Sequence, residues 1–451
     1  MNTQNPFLRR YSSIVFILMM LIPLMSIAAE KTVPSVIEAH HLSLEFPILD
    51  FPYNTESDFQ LPSMNQSLCL SKNFYQLSHA YLIDLLKEKP RWQTIFSIAA
   101  FDFLSTWFPP GTSWLHEEWH RAVLGRRGIK SYNEVYDFDF FEETIAVSEI
   151  KDEDLINLKN NHPQEMVRLH SAGVEAQYEM NLSIEKDQFF FDTYAFEDLV
   201  LWLNYLNSIL YIDLCTTSEA DDMTSDMMAE EGRDISERDF TGLDFTAYVY
   251  DLFRPDEPYE QRGIHPSGNG IRRYIAYSDL TDPEKDYLKF QRNLSLLNLV
   301  NPFLFQKRRF SGNAYQWNAT LRHHLTPHGY NISANLFYKK NQVNVLLKLH
   351  TYSNKYKTWP GLEIELLGYP KKIRNRIILF SLRSGIWLQP ENQTFKTRDS
   401  EAGGFGSFKI ATPVSDHVDV YIAVEGKTNG WVAGNVYLED NFSTVCGVVI
   451  K

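Results

Sequence analysis

The residues of this chain best suited to chemistry are His116-Glu117-Glu118-Trp119-His120, which form an H-E-x-x-H pattern. On a helix, His116 and His120 lie one turn apart and project from the same face. Both imidazoles can therefore bind one Zn²⁺ at about 2.0–2.1 Å. Glu117 lies beside them and can take a proton from a water molecule at the metal, which is the general-base role that the motif implies. The pattern therefore predicts a hydrolytic zinc centre.

The neighbouring residues favour a helix at this motif. A Pro-Pro-Gly sequence at 109–111 breaks the preceding structure, and Thr112 or Ser113 can cap a helix that begins there. Gly125 or Gly128 can end the same helix. The motif is thus expected on a short helix with a defined start and stop.

A hydrolytic zinc site needs a third protein ligand, and the segment 163–183 is predicted to form a second helix that supplies it. The chain has H-E-x-x-H at 116–120 and E-x-x-x-E at 175–179. This arrangement resembles the pattern of the gluzincin metallopeptidases, in which H-E-x-x-H is followed at some distance by E-x-x-x-D. The resemblance implies that Glu175 is the third zinc ligand. It also implies that Glu179, a glutamate where that pattern usually has aspartate, accepts a hydrogen bond from a ligand histidine. The resemblance covers only residues 116–179.

Two histidines are weaker candidates for the site. His170, on the same predicted helix, is a rival third ligand to Glu175. His265 lies in a polar segment with Arg272 and Arg273 and is a candidate donor to the oxyanion of a transition state. The composition of that segment favours an ordinary turn with surface arginines over this catalytic role. The chain has no Gly-rich phosphate loop, nucleophile elbow or C-x-x-C pair, which removes several other enzyme classes.

Composition and the N-terminus limit where the protein works. The chain has 57 acidic and 43 basic residues, a net charge of −14, which argues against nucleic acid as a partner. Its three cysteines allow at most one disulfide. Two arginines, an apolar run and small residues follow one another within 1–29, as in a secretory signal peptide. We therefore expect an exported protein of the cell envelope.

The remaining chain divides by its hydrophobic period. Residues 30–74 are rich in proline and expected to be irregular, and residues 75–308 show mainly helical spacing. Residues 309–451 alternate with a period of two and predict about eight to ten antiparallel strands. This part resembles bacterial outer-membrane β-barrels, although a soluble sandwich or barrel also fits the pattern. The expected fold class is α+β and multidomain, a helical zincin-like domain followed by the barrel.

Together these features predict an exported zinc-dependent metallohydrolase, most simply a peptidase that acts on a peptide or protein. The barrel would attach it to the lipid of the outer membrane. The alternative is a non-enzymatic outer-membrane protein, structural or solute-binding, whose helical half is an accessory module. In that case the H-E-x-x-H pattern is a coincidence.

Overall fold

The structure of the chain is a computed structural model that describes residues 42–57, 61–137, 145–191 and 198–451. The expected signal peptide, residues 1–29, lies outside the described residues. All three cysteines are described and all are free thiols. The longer helices are α1 (Met64–Leu85), α2 (Arg91–Ser105), α3 (Thr112–Gly125), α4 (Asp152–Asn161), α5 (Pro163–Phe190), α6 (Asp198–Leu214), α7 (Glu219–Glu230), α8 (Asp244–Phe253) and α9 (Asp282–Ser295).

The N-terminal half of the fold is helical and is built around α5. Helices α3 and α8 both pack against it, and most of its length is buried. A helix buried on all sides must satisfy its polar groups internally. On α5 this is achieved by buried pairs, such as Arg168 with Glu175 and His170 with Asp251. The helix that was expected to hold the downstream ligand is thus the centre of the core.

The C-terminal half is antiparallel sheet. Its strands are β4 (Phe310–Ser311), β5 (Gln316–Thr326), β6 (Gly329–Lys340), β7 (Val343–Ser353), β8 (Thr358–Ile373), β9 (Arg376–Pro390), β10 (Ser400–Pro413), β11 (Val418–Lys427) and β12 (Asn441–Ile450). Strand β1 (Leu44–Phe51) pairs with β12 and completes a ten-stranded sheet in the order β1-β12-β11-β10-β9-β8-β7-β6-β5-β4. The segment 30–74, expected to be irregular, therefore contributes a strand and the start of α1. Two short strands, β2 (Tyr132–Asn133) and β3 (Val147–Ser148), pair separately.

The sheet is not closed into a barrel, so the expectation of a closed barrel is wrong. Elements of the helical half pack against both ends of the strand order. Helix α1 packs on β1 at one edge. At the other edge, the amides of Leu321 and His323 in β5 donate to the Val300 carbonyl and the Asn298 side chain, at 3.0 and 2.7 Å. The open edges therefore find hydrogen-bond partners without strand closure.

Within the described residues, no single helix is both long and apolar enough to cross a bilayer. One pair of helices, Leu199–Leu214 and Glu219–Glu230, meets the length and composition requirement together, but it is bent by 92°.

Candidate metal centre

The H-E-x-x-H motif lies on α3, which begins at Thr112 and ends at Gly125. Its N-cap is Gly111 and has no side-chain cap, so the expectation that Thr112 or Ser113 caps the helix is wrong. Its two histidines meet a carboxylate from a different element, Asp244 at the start of α8. Asp244 Oδ2 lies 3.1 Å from His116 Nε2 and 3.5 Å from His120 Nε2. All three side chains are buried. This is the group of potential metal ligands that the described residues bring together.

The two distances from Asp244 to the imidazoles are compatible with a tetrahedral metal, and all three donor atoms lie within 4.8 Å of one another. When ligand bonds are 2.0–2.1 Å long, adjacent ligand atoms in a tetrahedron are about 3.3 Å apart. The distances of 3.1 and 3.5 Å from Asp244 to the two imidazoles lie on either side of that value. Two imidazoles and one carboxylate are also a donor set that suits Zn²⁺. The residues present therefore fit the metal that the motif implies.

Backbone features hold the two histidines in place. The Nδ1–H of His120 donates to the Leu169 carbonyl of α5 at 2.6 Å, which directs its Nε2 lone pair toward Asp244. The ring of His116 lies over Gly173, and a Cβ atom at Gly173 would overlap it. Both contacts come from α5, so that helix orients the ligands of α3.

Asp244 is held by its own backbone as well as by the histidines. Its amide donates to the Tyr211 hydroxyl at 2.8 Å. Burial alone would raise the pKa of Asp244, but the two imidazoles outweigh this and hold it well below its ordinary value. Burial likewise opposes ionisation of His120, yet the charge of Asp244 raises its pKa to about 9. Burial lowers the pKa of His116. The negative charge of Asp244 therefore favours a cation beside the two imidazoles.

Glu117 is half-buried and its carboxylate has no hydrogen-bond partner among the described residues. Burial raises its pKa well above the ordinary value; His120 opposes this shift, and Asp244 and Asp239 add to it. The next residue, Glu118, is different, because Arg121 and Asn133 both donate to it at 2.6 and 2.8 Å. Of the two adjacent glutamates, only Glu117 is free to act on a substrate.

Glu175, the expected third ligand, lies in a different cluster. Its carboxylate accepts hydrogen bonds from Arg168 and from the backbone amide of Gly434, both at 2.9 Å. Trp431 Nε1 is 3.4 Å away. Arg168 lies two turns earlier on the same face of α5, so the two side chains pair directly. Glu175 therefore anchors the loop between β11 and β12 to the core instead of joining the histidines of α3.

The other expected residues also have partners elsewhere. Glu179 faces the sheet, 3.3 Å from His324, at a cavity that Lys348 and Glu363 also line. His170 Nε2 is 2.8 Å from Asp251, and its ring stacks on Phe240. Because the Phe240 ring also contacts His120, it separates His170 from the metal ligands.

His265 is likewise remote from the ligand group. It is buried, with Nε2 3.1 Å from Glu231 and Nδ1 3.0 Å from the Ser267 hydroxyl. These contacts explain the polar segment around it as a folded loop. The structure thus brings together His116, Glu117 and His120 from the predicted set and replaces the downstream glutamate with Asp244.

Asp244 and Tyr211 were not identified from the sequence. Asp244 follows Thr241-Gly242-Leu243 at the start of a helix, which is a weak signal among many acidic residues. It reaches the site only because α8 packs on α5 opposite α3, and no local spacing reveals that packing. The Tyr211 hydroxyl is within the same site because it accepts the Asp244 amide.

The comparisons with known proteins give no relative. The chain matches no protein-family model, no curated protein and no solved structure.

Proposed function

We propose that the protein is a zinc-dependent hydrolase that cleaves an amide bond in a peptide or protein. The observation that carries this proposal is the buried cluster of His116, His120 and Asp244, whose donor atoms lie within 4.8 Å of one another, beside the unpartnered carboxylate of Glu117. Three protein ligands leave a fourth position for water or substrate, as in catalytic zinc sites. The proposal includes the resemblance of the helical half to zincins. In it, Asp244 is the third metal ligand, the role that was expected for Glu175.

The residues around the site divide the chemistry between them. When bound, zinc supplies Lewis-acid polarisation of the scissile carbonyl and lowers the pKa of water. Glu117 takes the proton of the attacking water and then delivers it to the leaving amine. Tyr211 accepts the Asp244 amide with its oxygen, and its own proton has no acceptor within the described part of the chain. We assign this O–H as the donor to the oxyanion.

Bound metal, measured in the purified protein, tests the ligand set. The wild type should contain about one zinc per chain, and His116→Ala and Asp244→Ala should lose it. Glu175→Ala is the matched control, because it removes a buried carboxylate that was also a candidate ligand. It should keep the metal even if it lowers stability. Loss of zinc in Glu175→Ala but not in Asp244→Ala would overturn this assignment.

The role of Glu117 is tested separately, because Glu117→Gln has nearly the same shape and removes only the base. Zinc content should be unchanged, while the cleavage rate of a quenched fluorescent peptide library should fall about 10²–10⁴-fold. Glu153→Gln is the matched control, an exposed glutamate on α4 away from the site. Full activity in Glu117→Gln would contradict the general-base role.

A further inference from the structure

A second feature, independent of the metal centre, is the sheet face directed away from the helices, here called the outer face. Register places side chains of successive strands next to one another on this face. One row runs across six strands through Tyr338, Val345, Leu366, Leu382, Phe408 and Val424. The next row runs through Leu336, Leu347, Ile364, Ser384, Gly406 and Gly426. Neither row contains a charged residue.

The outer face is exposed as well as apolar. Ile386 is 64% exposed, Phe442 63% and Leu349 54%, and Leu362, Ile364 and Ile422 are also exposed. A soluble monomer rarely exposes a continuous apolar patch of more than a few hundred Å². A face this extensive therefore implies a partner that covers it.

The inner face of the same strands differs because it carries buried charged residues. Arg322 on β5 pairs with Glu185 of α5 at 2.8 Å, and Lys348 and Arg383 both pair with Glu363 at 2.8 Å. The strands thus alternate an apolar outward face with an inward face that carries these buried ion pairs beside core residues such as Phe337 and Leu346. A soluble sheet packed on helices has the reverse pattern, whereas a sheet surrounded by lipid has this one.

One end of the sheet carries a group of positively charged side chains, and these indicate what kind of partner would cover the outer face. Lys371, Lys372, Arg374 and Arg376 lie at the turn between β8 and β9, here called the basic rim. All four are exposed, and none forms an ion pair within the described residues. The concentration of positive charge beside an apolar face complements a surface with anionic headgroups.

Aromatic residues occur at the same end of the sheet. Tyr315 stacks on Tyr338 with ring centroids 5.7 Å apart, and Trp317 stacks on Phe310 at 4.9 Å. Exposed Tyr369 lies near the basic rim on β8. Tyrosine and tryptophan are enriched where a protein crosses from hydrocarbon to headgroup. The end of the sheet that carries the basic rim thus also has an aromatic border.

Strand length and edge coverage agree with a lipid partner. Strands β5–β12 contain 10 to 16 residues each, and about 9–11 residues span the hydrocarbon region when tilted. Backbone groups at an edge are costly in lipid unless they are paired. At the β5 edge, the Val300 carbonyl and Asn298 provide those partners.

We propose that the outer face lies against the acyl chains of a lipid bilayer and that the basic rim contacts its anionic headgroups. Flotation of the full chain with vesicles tests this. The protein should float with phosphatidylethanolamine vesicles that contain a minority of phosphatidylglycerol, and more weakly with phosphatidylcholine alone. The variant K371Q/K372Q/R374Q/R376Q should lose about a hundredfold in affinity for the anionic vesicles at low salt.

A matched control replaces four exposed lysines of the helical half, K87Q/K89Q/K130Q/K289Q, and should bind nearly as well as the wild type. An equal loss in both charge variants would overturn the placement of the rim. Failure of the wild type to float with either kind of vesicle would overturn the whole proposal.

The apolar contact has its own test, because charge alone can adsorb a protein to vesicles. I364S/I386S should weaken flotation at least tenfold, whereas I264S/L296S, which changes two exposed apolar residues of the helical half, should not. Unchanged flotation of I364S/I386S would reject acyl-chain contact. A lipid-free wild-type dimer that I364S/I386S dissociates would identify the outer face as an interface between copies and also overturn the proposal.

Discussion

Three side chains, His116, His120 and Asp244, form the candidate metal centre, and Tyr211 is the adjacent group with a hydroxyl proton to donate. Tyr211→Phe removes that proton but keeps the ring packed on Phe245. We expect kcat to fall about 10²–10³-fold at unchanged zinc content, because removal of one oxyanion donor has effects of this size. Tyr132→Phe, which loses only a hydrogen bond to exposed Asp137, is the control. A fall in zinc content instead of kcat would give Tyr211 a structural role.

Gly173 is a second position where one added atom, a Cβ, would disturb the site. In Gly173→Ala, the new Cβ would overlap the His116 ring and displace one ligand. We expect zinc affinity to fall at least tenfold, while helix propensity improves by about 1 kcal/mol and limits the loss of stability. Competition with a chelator measures the affinity, and Gly232→Ala, where the added atom meets no close contact, is the control. Unchanged zinc affinity would show that His116 can move without cost.

Helix α8 brings Asp244 to the site, and its other end is fixed by Asp251. This buried carboxylate lies 2.6 Å from Arg262, 2.8 Å from His170 and 3.2 Å from Lys159. It thereby links α8 to α4 and α5. His170, which was a rival candidate ligand, is thus part of the support for the helix that carries Asp244.

The charge on Asp251 predicts a pH-dependent stability. Burial opposes ionisation, but Arg262 and Lys159 hold its pKa well below the ordinary value. The ionised form therefore stabilises the fold above the unfolded-state pKa of about 4, and this contribution is lost as pH falls through the lowered folded-state pKa. Asp251→Asn should reduce the free energy of unfolding by about 3 kcal/mol at neutral pH. Urea denaturation should show this difference narrow below about pH 4; a constant difference would contradict the ionic account.

The elements also show how far sequence reasoning reaches. Helix α3 was predictable because its start and stop residues are local, and the strands were predictable because alternation is local. The partner of His116 was not, since Glu175 and Asp244 are both acidic residues on helices. Only the pairing of Glu175 with Arg168 and the docking of α8 on α5 distinguish them. Both are tertiary contacts, and they leave no spacing pattern in the sequence.

At the scale of the whole molecule, the helical half and the sheet share one core. The main hydrophobic cluster includes Leu169 and Ala172 of α5 together with Leu325, Phe337 and Leu346 of the sheet. The sequence predicts a boundary near residue 308, because the hydrophobic period changes there, but a change of period does not show whether two segments pack together. The shared core shows that the two segments do pack together.

A shared core predicts cooperative unfolding. In urea, tryptophan fluorescence and far-ultraviolet circular dichroism should report one transition at the same midpoint, because neither half can lose its packing alone. Zinc should raise that midpoint for both signals. Two separate transitions, with only one sensitive to zinc, would show that the halves are independent domains.

The pairing of β1 with β12 places the earliest described strand beside the last one. During synthesis on the ribosome, β1 must wait until β12 (Asn441–Ile450) has been made before its neighbour exists. Loop closure over so long a distance is slow, and an unpaired strand can aggregate in the interval. Nascent chains of this protein should therefore require chaperone protection until translation ends.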